Sequence, residues 1–427
     1  MELTDHLFRH DAGRMVAVLT RIFGVHNLAL AEDVVQDAFC RALEVWSFRG
    51  VPENPSAWLM AAAKNRALDI LRRERTAQTY EPELSRFLQS EWTLAHVVKE
   101  MFTENAIKDD QLRMMFSCCH PRLAEEAQVM LILHILCGFS MNEVASAFVT
   151  SYTAAEKRIP RAKKVLAASK RLFDTQAPSD FSARLPAVQR ALYLLFNEGY
   201  HGASAEVAVR AELCQEAIRL AALLLEHPLG AIPTSYALSA LMCLNKARLP
   251  ARLDASGKLN SLFDQDRSLW DQKLVDEGLQ LLDLSAKGSK LSEYHLEAAI
   301  AAVHATAPSL QATNWEEIVS LYDTLMTIRP TPIVALNRAI AVGQRDGPES
   351  GLTELRAIAD SERLSKYPFY HAAFGEFELH GGRPLAARER FSTALELSRN
   401  PIERQFFSKR IEACEHGLLA RNDCRVT

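Results

Sequence analysis

Residues 31–46 read AEDVVQDAFCRALEVW, and their spacing decides the fold class. Val35, Phe39, Ala42 and Trp46 recur at the interval that lines one face of an α-helix. Asp33, Gln36, Asp37, Arg41 and Glu44 fall on the opposite face. Gly50, Pro52 and Pro55 then break the pattern over 47–55. A second helix is predicted over 56–75, with Ser56 as N-cap and Trp58, Leu59, Ala62, Leu68 and Leu71 as its apolar face. Its last turn is basic, which suits the negative end of the helix dipole. Residues 5–75 therefore predict three or four helices.

The composition extends this reading to the whole chain. With 427 residues and about 100–200 per domain, two to four domains are expected. Glycine and proline number only 17 each, too few for an all-β chain that turns every few residues. Glu2, Asp5, Arg9 and Asp11 charge the first residues, unlike a secretory signal. The long uncharged stretches at 227–245 and 298–315 carry prolines and small polar residues, unlike a spanning helix. Eight scattered cysteines without CxxC pairs suggest reduced thiols. An all-α, soluble, cytoplasmic protein with no membrane association is expected.

A net charge of −4 hides two basic islands. Lys64, Arg66, Arg72, Arg73 and Arg75 crowd the end of the second helix. Lys157, Arg158, Arg161, Lys163, Lys164, Lys170 and Arg171 fill 157–171 without an acid among them. Either both islands contact nucleic acid or both are solvated helix faces. Ser140 and Glu143 form a capping-box signature ahead of a short helix at 141–148. A turn at 149–152 and a basic helix at 153–172 complete a helix-turn-helix pattern, with Pro160 inside the last helix as an expected kink.

The remainder reads as amphipathic helices. Residues 76–108 look like a linker and 174–180 like a hinge. Gly375, Ala387, Phe391 and Ala394 match positions of a tetratricopeptide unit, and Tyr322 with Pro330 those of an earlier one. A solenoid is expected over 315–410. For 182–290 an irregular bundle remains the alternative.

In this order the motifs resemble a bacterial RNA polymerase sigma factor of the extracytoplasmic-function (ECF) class. Residues 31–39 are similar to the AED-x-x-Q-[DE]-x-F segment of sigma region 2. Residues 57–59, 65–69, Arg72 and Arg73 resemble its WL…N-x-x-x-D-x-x-R pattern, and 140–166 stand where region 4 would. Residues 110–121 and 197–200 resemble the ECF group with a long C-terminal tetratricopeptide-type extension. The resemblance implies an all-α chain: region 2 over 1–75, linker 76–108, region 4 over 109–172, hinge 173–181 and a helical extension over 182–420.

The resemblance also implies partners and roles. Core RNA polymerase, through its β′ clamp helices and β flap, would meet Asp33, Gln36, Asp37, Arg41 and Glu44. Promoter DNA at the −10 element would meet the 47–55 loop, Asn65 as reader, and Lys64, Arg66, Arg72 and Arg73 on phosphates. At the −35 element Thr153, Ala154, Glu156 and Lys157 would enter the major groove, with Arg158, Arg161, Lys163 and Lys164 as phosphate contacts. The extension is expected to contact the sigma part or the polymerase and set activity. No enzyme activity and no cofactor are expected, since no phosphate loop, nucleophile elbow or metal motif occurs. Cys118 and Cys119 are adjacent, a poor spacing for zinc, and read as small buried side chains. The alternative function is a stand-alone helix-turn-helix regulator on a tetratricopeptide scaffold.

Overall fold

A computed structural model describes residues 2–75, 104–148, 150–169, 173, 178–201, 210–252, 260–398 and 400–423. Every regular element among them is helical, and no strand occurs among the described residues. The chain divides into two compact units. Unit 1 comprises residues 1–195 with 226–230, and unit 2 comprises 196–225 with 231–427.

Unit 1 begins with α1 (Glu2–Phe23), α2 (Leu28–Arg49) and α3 (Pro55–Arg75). The predicted face of α2 is its buried face: Val35, Phe39, Ala42 and Trp46 are all in the core. Trp58 is half-buried and meets Trp46 edge-on, with ring centroids 5.5 Å apart. The cap of α3 differs from the expectation. Asn54, not Ser56, caps it, accepting from the Ala57 amide at 3.0 Å, because α3 starts one residue earlier with Pro55 at its first position. Ser56 instead donates to Asp11 of α1 at 2.5 Å.

Four further helices complete the body of the unit: α4 (Glu104–Cys118), α5 (Glu125–Ile135), α6 (Met141–Ala147) and α7 (Tyr152–Ala167). The capping box forms as predicted. The Ser140 amide donates to Glu143 at 2.8 Å, and the Glu143 amide to Ser140 Oγ at 3.3 Å. The basic helix α7 runs unbroken through Pro160, whose ring is exposed. It ends at Ala167, short of the predicted 172, since 167–169 offer only Ala, Ala and Ser to extend the buried row Ala155, Ile159, Ala162 and Leu166. Lys170 and Arg171, like linker residues 76–103 and hinge residues 174–177, lie outside the described residues.

The two helical groups of unit 1 are packed together. Arg21 of α1 donates to the buried Asp110 of α4 at 2.8 Å. A side chain at Gly13 would place Cβ 2.2 Å from the Leu136 carbonyl oxygen, so only glycine allows α1 this close to the end of α5. Phe173 and Phe181, at the two ends of the predicted hinge, are both buried. They lie 5.3 and 4.1 Å from Phe116, and the Phe173 amide donates to Ser117 Oγ at 2.9 Å. Phe181 belongs to α8 (Pro178–His201) and also stacks on His227 at 4.7 Å.

Unit 2 holds the end of α8, then α9 (Ala211–Glu226), α10 (Pro233–Lys246), α11 (Leu249–Arg252), α12 (Gln272–Ser285) and α13 (Glu293–Thr306). It continues through α14 (Trp315–Ile328), α15 (Pro332–Asp346), α16 (Pro348–Arg356), α17 (Pro368–His380), α18 (Pro384–Leu397) and α19 (Pro401–Asp423). From α12 onward each helix packs on the next. Ala387, Phe391 and Ala394, picked out by their spacing, form one buried cluster with Phe407. Gly375 lets the Phe391 ring approach, since a Cβ there would stand 2.8 Å from it.

Candidate nucleic-acid and protein interface

Helix α2 sorts its residues by face. With one stripe committed to the core, Asp33, Gln36, Asp37, Arg41 and Glu44 are all exposed. Four of them make no ion pair among the described residues. Asp37 does: Arg66 of α3 donates to it at 3.1 Å. Residues expected to serve the polymerase and the DNA thus stand side by side across α2 and α3. Both partners are about half exposed, so the pair adds little to stability and is available for exchange.

On α3, Asn65, Arg66 and Arg73 are exposed and Lys64 is half-buried. Arg72 lies on the same helix, its side chain outside those described. One residue here escapes the sequence reading. Phe48, at the end of α2, is 91% exposed, between the exposed Leu43 and Val51. It sits off the stripe that ends at Trp46, and a bulky aromatic off the core stripe beside a glycine- and proline-broken loop is the signal. An exposed ring can stack on an unpaired base.

The exposed face of α7 carries Thr153, Glu156, Lys157, Arg158, Arg161 and Lys164, while Ala154 is half-buried and its amide donates to the cap Ser151 Oγ at 3.2 Å. Lys157, Arg161 and Lys164 have no ion-pair partner among the described residues. The other two cations of the expected phosphate-binding row are engaged. Arg158 pairs with Glu126 of α5 at 2.9 Å, an exposed contact. Lys163 pairs with Glu32 of α2 at 2.7 Å, and that pair is largely covered. Glu32 also lies 3.9 Å from His134. Burial and the nearby Lys163 hold the His134 imidazole below its ordinary value, so it is neutral at pH 7. No spacing rule pointed to Glu32 or Glu126, because their partners are far away in sequence.

Cys118 and Cys119 are fully buried. Burial pushes the Cys119 thiol up to about 12 and the Cys118 thiol well above its ordinary value, leaving both protonated and unreactive at neutral pH. Among the described residues no helix is long and apolar enough to cross a membrane.

Comparison with known proteins meets this geometry at the same place. The family described as Sigma-70 region 2 matches residues 7–77, which cover α1 to α3. A family of unknown function (DUF6596) matches residues 184–286. The chain is 38% identical over 414 residues to Uncharacterized protein R00370 of Rhizobium meliloti (strain 1021), covering 96% of each. No solved structure matches. A chain whose first three helices are sigma-70 region 2 is a sigma-factor-like protein, of a class that acts with core RNA polymerase on promoter DNA. Along nearly its whole length it belongs to the family of that rhizobial protein.

Proposed function

We propose that the chain is an ECF-class sigma factor that carries its own regulatory domain. Helix α2 docks on the β′ clamp helices through Asp33, Gln36, Asp37, Arg41 and Glu44. Helix α3 and the 47–55 loop take the −10 element, with Asn65 on a base edge and Lys64, Arg66, Arg72 and Arg73 on phosphates. Helices α6 and α7 act as a region 4 helix-turn-helix. The start of α7 (Thr153, Ala154, Glu156 and Lys157) enters the major groove at the −35 element, and Arg158, Arg161, Lys163 and Lys164 neutralise phosphates. The stacked helices of unit 2 form a tetratricopeptide-like extension that contacts the sigma part or the polymerase and sets output.

The observation that carries this reading is the exposed polar face of α2 inside the segment that matches Sigma-70 region 2. A regulator that binds duplex DNA unaided has no need of a polymerase-docking helix. The test is transcription in vitro with purified core polymerase and the full chain, on a library of promoter fragments. Promoter-specific transcripts that depend on added chain are expected. Binding to duplex DNA without any transcript would favour the stand-alone regulator instead.

A further inference from the structure

Within unit 2 the loop at 260–266 and helices α15, α17 and α19 surround a cavity of about 320 Å³. Its walls are of two kinds. Phe263, 38% exposed, Phe377, Leu310 and Pro348 supply apolar surface. Gly343 lets the Phe377 ring pack directly against α15, because a Cβ at that position would lie 2.2 Å from the ring. The polar lining is rich in acceptors. Asp264 is exposed and, among the described residues, accepts from Ser261 Oγ at 2.6 Å, a neutral donor. Glu376 accepts from Arg410, the one guanidinium among the lining residues. His380 holds its Nδ1 against the Glu376 backbone carbonyl at 2.9 Å. A carbonyl can only accept, so His380 Nδ1 is the donor in this contact.

We propose that this cavity binds an organic cation, an alkylammonium or guanidinium group carried on a short apolar stem. Two carboxylates, Asp264 and Glu376, line the cavity beside one guanidinium, Arg410, so a positively charged ligand group suits the site. Burial pushes the Glu376 carboxyl up even with Arg410 and His380 pulling it down, and Asp264 adds to that push. A bound cation relieves both effects. The rings of Phe263 and Phe377 suit the stem and attract the charged head through their faces. The volume lies at the small end of the range for ligand sites, about 300–1,000 Å³, and fits a molecule of amino-acid size. The same chemistry is offered by a free amine and by a lysine or arginine side chain of a peptide.

The experiment is calorimetric titration of the full chain with agmatine, with a capped tripeptide holding one lysine, and with succinate as the anionic comparator. Saturable binding of agmatine or the lysine peptide is expected, and none of succinate. A preference for agmatine assigns the site to free amines, and a preference for the peptide assigns it to protein side chains. Asp264→Asn, at an exposed position that leaves the fold intact, should weaken binding at least tenfold. Leu310→Trp should block it by filling the cavity. Asp283→Asn, an exposed acid on α12, should bind as the unaltered chain does. Failure of both cationic probes to bind, equal binding by Asp264→Asn, or binding of succinate in their place would overturn the proposal. The readout is binding alone, so each of these results leaves the transcription reading untouched.

Discussion

Lys163 of α7 and Glu32 of α2, 131 residues apart, meet at 2.7 Å. The basic helix thus spends one of its cations on a carboxylate of the helix whose polar face is proposed to meet polymerase. Glu32→Gln should release Lys163 for phosphate. The expected result is a steeper salt dependence of duplex binding, by about 0.9 in the log–log slope, measured by fluorescence anisotropy over a range of salt. Stability should fall by no more than about 1 kcal/mol, as for a pair that keeps some contact with water. An unchanged slope would mean that the pair with Glu32 does not keep Lys163 from phosphate.

Asp37→Lys should weaken core polymerase binding by about 1–3 kcal/mol, since it reverses one charge of a complementary rim and drives off Arg66. Folding should change by less than about 0.5 kcal/mol because the site is exposed. Affinity for purified core, set beside a thermal melt, separates the two.

Three substitutions around α3 distinguish reading from positioning. Asn65→Ala should relax preference at one −10 position, at a cost of about 1–3 kcal/mol there. Arg73→Ala should weaken all promoters alike and lower the salt slope by about 0.7 on a single strand. Phe48→Ala should cost about 1–3 kcal/mol on single-stranded −10 DNA, with little effect on duplex binding. Identical promoter-library profiles for the three variants would remove Asn65 and Phe48 from the site.

His304, buried in unit 2, has its imidazole pushed down from 6.5 to about 3, first by burial and then by Arg248 and Arg267. Its folded form binds protons less readily than the unfolded chain, which titrates near 6.5. The stability this implies is intact above pH 6.5 and is lost as pH falls below it toward 3. Between pH 7 and pH 5 the loss should be about 2 kcal/mol. His304→Gln should flatten that dependence, as read by denaturant unfolding at the two pH values.

Phe181→Ala should destabilise unit 1 by about 3–5 kcal/mol, because the ring fills the space between Phe116, Phe173 and His227. By the same logic, a chain stopped after residue 172 loses part of the core of unit 1 along with unit 2. Its failure to transcribe would then report misfolding. Denaturant curves of the full chain and of Phe181→Ala check the expectation.

Much of unit 1 was legible because local rules set it. The stripe from Val35 to Trp46 and the Ser140–Glu143 box each need only a few neighbouring residues to form. Where two local signals competed, the reading failed: Ser56 and Asn54 both suit a cap, and the Ser56 hydroxyl was claimed by Asp11 of another helix. The close helix packing at Gly13 and the ring cluster around Phe116 were invisible, since each depends on residues distant in sequence. In unit 2 the match of Gly375 to Phe391 rests on a repeat spacing and could be read. The cavity between four elements rests on no spacing at all.

The chain leaves unit 1 after Leu195, returns to it for residues 226–230, and leaves again at Ala231. His227, which stacks on Phe181, arrives with that return. During synthesis the N-terminal unit therefore waits for residues 196–230, about 2–7 s at about 5–20 residues per second, before its last piece is available. A nascent chain stalled or cut within that interval lacks the closing piece of the unit that carries α2, α3 and α7. Completion of unit 1 is thereby tied to synthesis of the chain through residue 230.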